Sequence, residues 1–446
     1  MKKTLLLSVV ASTMMMAGGD IAPVVVAPVV EEVSNWEFGG QGVLYYQATD
    51  WKKNDMFDQG GAKANAGIQL RAINKDLFWG FGAGVEVDGV ATLGLENDVV
   101  SNVMQGANNS LRGGWISQAY LTYGFGNTSI KAGRQELPKS LSPFAFSEGW
   151  NVFKNTFDSV LLVNTDISNT TIVGAWVESA NYNNVVTFDN NDDMKTGDMA
   201  AFNKTNGQAG VYMLTVQNKS VDALTLTGSY YYAADFAKNH GLAGTNDAHI
   251  LWGDAAYAFN DFVVAGQAGT IMDDDYGTAD DVVAFGLKAG GNFGIFDASI
   301  AYSNVNDGGY TPDINNNNDR MPARGLFNVG GIKTPLYTQM ILNQGAIRSD
   351  NDTFVFRAGV KALGGKFGLA YDYTADNSVA DNDYSELDLT YKTKIFNDST
   401  TLFAGYVYQN KDKGFTYPTF DTNGNTIGKC TEEDRNLFRV WGRYNF

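Results

Sequence analysis

From residue 36 to the end of the chain, apolar and polar positions alternate in one stretch after another. In the last stretch Phe438, Val440, Gly442, Tyr444 and Phe446 share one face, and Arg439, Trp441, Arg443 and Asn445 share the other. Near the start, Trp36, Phe38, Leu44 and Tyr46 stand opposite Glu37, Gln41 and Gln47; further on, Phe354, Phe356, Ala358 and Val360 stand opposite Arg357 and Lys361. A period of two is that of a strand with two unlike faces. Eighteen such segments can be read, from 36–47 through 64–73, 79–90 and 112–124 to 384–395, 400–410 and 434–446. Most run about ten residues, the length of a tilted strand crossing a membrane.

The connections alternate as well. After even-numbered segments they are short, as in "GN", "TDIS", "KSV", "ND", "GGK" and "NDST"; after odd-numbered ones they are mostly long, polar and acidic, as at 304–352. Short turns on one side and long loops on the other predict an all-β transmembrane antiparallel barrel of about eighteen strands over 35–446, with periplasmic turns and extracellular loops. An even count puts both ends of the barrel on the turn side, where the last strand closes against the first and no edge is left open. A soluble sandwich or a propeller also alternates. The blade period of about 40 residues is absent, however, and soluble sheets do not turn so many Tyr and Phe to water.

Composition sharpens this. Charged residues are 18%, with 50 Gly, 22 Tyr, 27 Phe and only 8 Pro, a mix that favours strands. The net charge of −17 argues against nucleic acid as a partner, because phosphate binding needs a basic footprint. Cys430 is the single cysteine; it excludes an internal disulfide and reads as a loop residue. Residues 1–19, with Lys2 and Lys3 ahead of a short apolar run and small residues before Asp20, read as a signal peptide. Residues 20–34 read as a proline-punctuated, extended periplasmic leader.

Alternation assigns charged residues to the lumen. The basic ones are Arg71, Lys131, Lys288, Arg357, Lys361, Lys392, Lys394, Arg435, Arg439 and Arg443; the acidic ones are Glu37, Glu86, Asp88, Asp254, Asp297, Asp372, Glu386 and Asp388. Opposed walls of this kind set up a transverse field across a pore. Arg435, Arg439 and Arg443 recur every four residues on one face. They form either a track that passes anionic groups along or ion pairs with lumen acids such as Glu37. The third loop, 137–155, carries Pro138, Lys139, Pro143, Phe144, Phe146, Glu148, Trp150 and Lys154. It suits a stiff loop folded into the pore; an outward loop is the alternative. Asp421, Asn423, Asn425 and Glu432 have calcium-loop spacing, but Thr426 stands where the tight turn wants glycine. No dedicated metal site or cofactor is expected, only loose Ca²⁺ at acidic loops. With His240 and His249 as the only histidines, and no nucleophile–base context or phosphate-binding loop, no enzyme is expected.

The stretch "KAGRQELPKSLSPFAFSEGWNVFKNTFDSVLLVNTDISNTTIVGAWV" resembles the third-loop region of OprD-type porins and the related major outer membrane proteins of Campylobacter-like bacteria. Gly133, Arg134 and Gln135 stand where a strand leads into an inward loop, and Asn164, Thr165, Asp166 and Ile167 where a turn precedes "TTIVGAWV". Tyr444 and Phe446 resemble the C-terminal signal read by bacterial barrel-assembly machinery, and the file of arginines resembles that family's basic ladder. The resemblance implies an eighteen-stranded barrel, commonly trimeric, with a narrow pore; the long acidic seventh loop departs from it. The expectation is a Gram-negative porin, a homotrimer among outer-membrane lipid and lipopolysaccharide, passing small hydrophilic solutes and ions through a charged constriction. A surface structural or adhesive protein anchored by its barrel is the alternative.

Overall fold

The structure, a computed structural model, describes residues 35–181, 187–188, 194–239, 247–273, 281–307, 335–343, 346–347, 350–378, 381–420 and 426–446. The signal peptide and leader, His240, part of the seventh loop and Asp421, Asn423 and Asn425 lie outside these residues.

Eighteen long strands form the wall: β1 Trp36–Thr49, β2 Ala62–Phe78, β3 Phe81–Ala91, β4 Gly113–Phe125, β5 Thr128–Gln135, β6 Phe157–Asn164, β7 Thr170–Asn181, β8 Val211–Asn218 and β9 Leu224–Ala233 make one half. The other half is β10 Ala248–Phe259, β11 Phe262–Asp273, β12 Val282–Phe293, β13 Phe296–Val305, β14 Asn351–Ala362, β15 Gly365–Asp376, β16 Tyr384–Ile395, β17 Thr400–Phe420 and β18 Thr426–Asn445. Each is antiparallel to its neighbours, and β18 pairs with β1 from Gln41↔Asn445 to Thr49↔Leu437. The barrel is closed, with eighteen antiparallel strands. Each segment read from the alternation is found, within a few residues. The largest difference is the last hairpin, which continues to Phe420 and resumes at Thr426. Its outer half keeps pairing through Tyr417↔Cys430, so Cys430 lies in a strand and not in a loop.

The seam explains the terminal aromatic. Gly40 and Phe446 exchange both backbone bonds, N–H of Gly40 to the Phe446 oxygen at 2.9 Å and the reverse at 3.1 Å. The Phe446 ring then lies on Gly40, where an added Cβ would meet it at 2.9 Å and the Gln69 carbonyl even closer. Only glycine permits this approach.

The outward face is apolar. Phe38, Leu44, Leu287, Ile300 and Phe354 are all more than half exposed in the isolated chain, which only lipid can cover. Aromatics ring the turn end, with Phe259 stacked on Phe262 at 5.6 Å, and Phe78 on Phe81 at 5.6 Å. Five of the eight turns there are two-residue hairpins. Trp79 and Gly80 (φ 51 and 79) and Leu363 and Gly364 (φ 52 and 74) are left-handed, as the strand twist demands. A closed barrel with an apolar outer band satisfies every strand's backbone without water, which is the condition for spanning a bilayer. This makes the chain a multi-pass barrel that spans a membrane.

Candidate functional site

The lumen is narrowed by two loops, one of which the sequence reading left outside. The third loop folds inward. Its first part carries Leu137, Phe144 and Ala145 into an apolar cluster with Tyr231 on β9 and Ile250 and Trp252 on β10. The Phe144 ring meets Tyr231 edge-on at 5.5 Å and Trp252 at 5.4 Å. Its second part carries Val152 and Phe153 against Val43, Tyr45, Val90 and Trp115 on β1, β3 and β4. In a barrel of eighteen strands, β9 and β18 stand half a circumference apart, so the loop crosses the lumen.

Arg443 fixes its far end. Its guanidinium donates to the carbonyls of Val152 (2.8 Å), Gly149 (3.3 Å) and Asn151. The Phe153 backbone is clamped by Gln105 of the second loop, whose amide bonds both its N–H (2.7 Å) and its carbonyl (2.8 Å). Gly67 on β2 leaves room for the ring; a Cβ there would come within 2.7 Å of it. Phe144 and Phe146 are therefore buried anchors and not pore-facing residues. Glu148 is also buried; its carboxylate accepts from the Trp150 indole at 2.7 Å. Lys154 pairs with Glu136 at 2.8 Å.

The second inward element is residues 335–343 of the seventh loop. It runs along β10 to β16. Thr338 bonds Ser303 on β13 at 2.6 Å, and Tyr337 donates to Asp254 on β10. The N–H of Leu342 donates to Glu386 (2.7 Å) and that of Ile341 to Asp388 (3.3 Å), while the Asn343 amide donates to Asp372 (2.8 Å). Met340 packs on Ala301, Val355 and Ala370. The two loops meet where Lys139 donates to Gln339 at 3.0 Å, and Arg357 donates to the Gln339 carbonyl at 2.7 Å.

This corrects the assignment of acidic pore walls. Asp372, Glu386 and Asp388 are sealed beneath the seventh loop at 0, 0 and 5% exposure. Glu386 and Asp388 hold loop backbone and Asp372 holds the Asn343 side-chain amide, which a carboxylate does better than a neutral acceptor. Glu86 is buried with Ser117 and Gln118, both at 3.0 Å. Asp88 is 1% exposed, set between Gln69 and Trp115 in the sheet, and Trp115 packs on Phe153 at 6.0 Å. Glu37 sits at the exposed periplasmic rim with Lys75 at 2.6 Å.

The arginine file is likewise not an open track. Arg439 is 5% exposed, donates twice to Gln47 (3.1 and 2.9 Å) and faces the Trp150 ring at 5.5 Å. Arg435 donates to Gln409 at 2.6 Å and stacks on Phe415 (3.5 Å) and Trp51 (4.4 Å). Their partners include amides, carbonyls and rings, which neither reading of the sequence named.

What keeps solvent contact in the lumen is mostly basic. Arg71, Lys361 and Lys394 are exposed, and Lys392 is partly so. Lys131 lies over the Tyr120 ring at 3.7 Å, and Lys288 faces the Tyr337 ring at 5.9 Å. Asp297 is neutralised by Lys366 at 2.7 Å. Among the described residues no group of His, Cys, Asp and Glu is placed to hold a metal ion. Glu432, read as a calcium-loop position, instead accepts from the backbone N–H groups of Lys52 (3.0 Å) and Lys53 (2.6 Å).

No family model matches this sequence, and no curated protein matches it. Solved structures do. OccK8 (OprE) of Pseudomonas aeruginosa aligns with a TM-score of 0.64 at 14% identity, over 93% of this chain and 98% of its own. OccAB2 of Acinetobacter baumannii gives 0.64 at 13%, over 93% and 98%. OccK3 (OpdO) of P. aeruginosa gives 0.64 at 12%, over 93% and 96%. The fold of this chain is the eighteen-stranded fold of OprD-type outer-membrane barrels.

Proposed function

We propose that this chain is a passive outer-membrane channel for small hydrophilic solutes and ions, with its passage set by the third and seventh loops and tuned to favour anions. One observation carries the reading. The chain is acidic as a whole, yet Asp372, Glu386 and Asp388 are sealed beneath the seventh loop, Glu86 and Asp88 are buried against the wall and Asp297 is paired with Lys366, while Arg71, Lys361, Lys392 and Lys394 keep solvent contact. Lumen charges tune selectivity, and in a partly desolvated pore they act more strongly than at an open surface. The chain acts by positioning charge and excluding size, with no catalytic step. In this reading the barrel sits among lipid and lipopolysaccharide as a homo-oligomer, three copies on the resemblance of its third-loop region, and acidic outer loops bind Ca²⁺ loosely.

The test is the reconstituted chain in a planar bilayer under a salt gradient. Stepwise conductance is expected, with a reversal potential on the anion side that grows as salt is lowered and screening lengthens. Absence of steps would leave the barrel as an anchor, the adhesive reading. A cation-side reversal potential would show that the sealed acids still dominate the passage.

A further inference from the structure

The outward wall of β8, β9 and β10 changes character along its height. Toward the turns and through the middle its exposed side chains are apolar, among them Leu214, Val216, Leu226, Leu251 and Phe259. Above them comes a row of rings. Tyr212 stands opposite Tyr232 across the ladder, and Tyr232 opposite His249. His249 and Phe259 lie at opposite ends of β10. Ten residues at about 3.3 Å each, on a strand tilted by about 40°, rise roughly 25 Å, the height of a barrel's apolar band. The row therefore sits where hydrocarbon ends and headgroups begin, on the loop side.

The rings pack as a unit. Centroids are 6.4 Å apart between Tyr212 and Tyr232, 5.1 Å between Tyr232 and His249, and 5.9 Å between Tyr230 and His249, with interplanar angles of 32, 34 and 24°. The Tyr230 hydroxyl and His249 Nδ1 share a hydrogen bond at 2.7 Å. The Tyr232 hydroxyl donates to Asp247 at 2.7 Å, and the Asp235 N–H donates to the same carboxylate at 2.8 Å. These two donors hold the Asp247 carboxyl below its usual range, so an anionic acceptor is fixed at the upper edge of the rings. Tyr212 is 50% exposed, and Tyr230, Tyr232, His249 and Asp247 are each part-exposed.

A lone tyrosine at this depth needs nothing more specific than an interface around it. This patch offers more: neighbouring rings close to parallel, and a carboxylate held at their rim. A pyranose ring matches both features. One face of it is C–H and packs on aromatic rings, while its edge carries hydroxyl and amide N–H groups that donate to a carboxylate. A headgroup that leads with phosphate matches poorly, because it would set like charge against Asp247. The patch is also continuous with the apolar wall below it, which acyl chains cover. Its occupant therefore carries sugar and acyl chains in one molecule.

We propose that Tyr212, Tyr230, Tyr232, His249 and Asp247 form a seat for the sugar headgroup of a glycolipid, the acylated glucosamine backbone of lipopolysaccharide. This rests on the reading that the barrel sits among lipopolysaccharide, and it names the surface that meets it. A sugar face lies on the rings, a hydroxyl or acyl-amide N–H donates to Asp247, and the acyl chains run down over Leu214, Leu226 and Leu251. The phosphates of that backbone stand at its two ends, clear of the ring faces and of Asp247. The seat is on the outer wall and apart from the lumen, so its occupation leaves the passage unchanged.

The experiment uses the full-length protein in detergent, stripped of lipid and then offered deep-rough lipopolysaccharide or phosphatidylglycerol, with retained lipid counted by native mass spectrometry. Tyr232→Leu with His249→Leu removes rings, and Asp247→Asn removes the charge. Tyr373→Leu, at an outward tyrosine of β15 that donates to Asp383, is the control, and the heat-induced gel shift reports that each barrel is folded. Lipopolysaccharide retention is expected to fall roughly five- to tenfold in the ring variant and severalfold in Asp247→Asn. Phosphatidylglycerol retention, the control and single-channel conductance should all stay as in the wild type. Undiminished lipopolysaccharide retention by either test variant overturns the assignment. So does an equal fall in the control, which would make every rim tyrosine an equivalent contact, or an equal loss of phosphatidylglycerol, which would leave only an apolar surface. If the wild type conducts but retains no lipopolysaccharide, the reading that places the barrel among that lipid falls first and takes this assignment with it, while the channel reading stands.

Discussion

Arg443 shows how a residue's role depends on what reaches it. On the strand it is one of three evenly spaced lumen arginines. In the folded barrel it is the clasp of the third loop, bonded to three carbonyls at 149, 151 and 152. Hydrogen bonds from a charged donor contribute about 1.5–3 kcal/mol each, enough to hold a loop against thermal motion. Arg443→Gln is therefore expected to raise open-channel noise and mean conductance, by up to about twofold on the view that loop positions alone set the narrowing, with the barrel still folded. Single-channel recording checks it; a pure change in ion preference with unaltered noise would restore the track reading. Gly67 belongs to the same clasp. Gly67→Val should unseat Phe153, whose ring already fills the space a Cβ would take, and produce the same noisy channel with no charge changed.

At the scale of the element, residues 335–343 behave as an inserted lining. Three carboxylates from β15 and β16 accept its N–H groups. Like charges so close would be unfavourable without those donors. Truncating two of them, Asp372→Ala with Glu386→Ala, removes the hooks and is expected to free the segment. Conductance should increase, and the peptide bonds of 335–343 should become open to limited proteolysis from outside. Conductance and cleavage both like wild type would mean that Tyr337, Thr338 and Met340 hold the segment alone. The signal was present in the sequence. "PLYTQMIL" is an apolar run within an otherwise polar loop, and apolar runs in water seek cover.

For the whole molecule the decisive event is closure. Ring closure joins the first and last strands at the greatest sequence separation in the chain, so it comes at the largest loop-entropy cost. The seam is secured by the Gly40–Phe446 exchange and the ring on Gly40. Deleting Phe446, or Gly40→Val, is expected to lower the heat-modifiable, folded fraction in the outer membrane severalfold, while a lumen change such as Arg439→Gln leaves it close to normal. Equal folded yields for all three would mean that closure does not depend on this contact.

The sequence by itself determined the architecture. A period of two over eighteen segments, with short and long links alternating, admits few solutions for a chain whose outward residues are Phe38, Leu44 and Ile300, and local backbone geometry repeats that period without help from distant residues. It also determined which face each side chain takes, as with Arg439 inward and Val440 outward. Only the tertiary structure decided what those inward charges meet. Alternation says that Asp372 and Arg443 point into the lumen, but not that residues 335–343 and 149–152 arrive there to cover them. Loop paths have no period to read; they are chosen by pairings such as Phe144 with Trp252 and Gln105 with Phe153, whose partners are far apart in the chain and come within reach only when the barrel has closed.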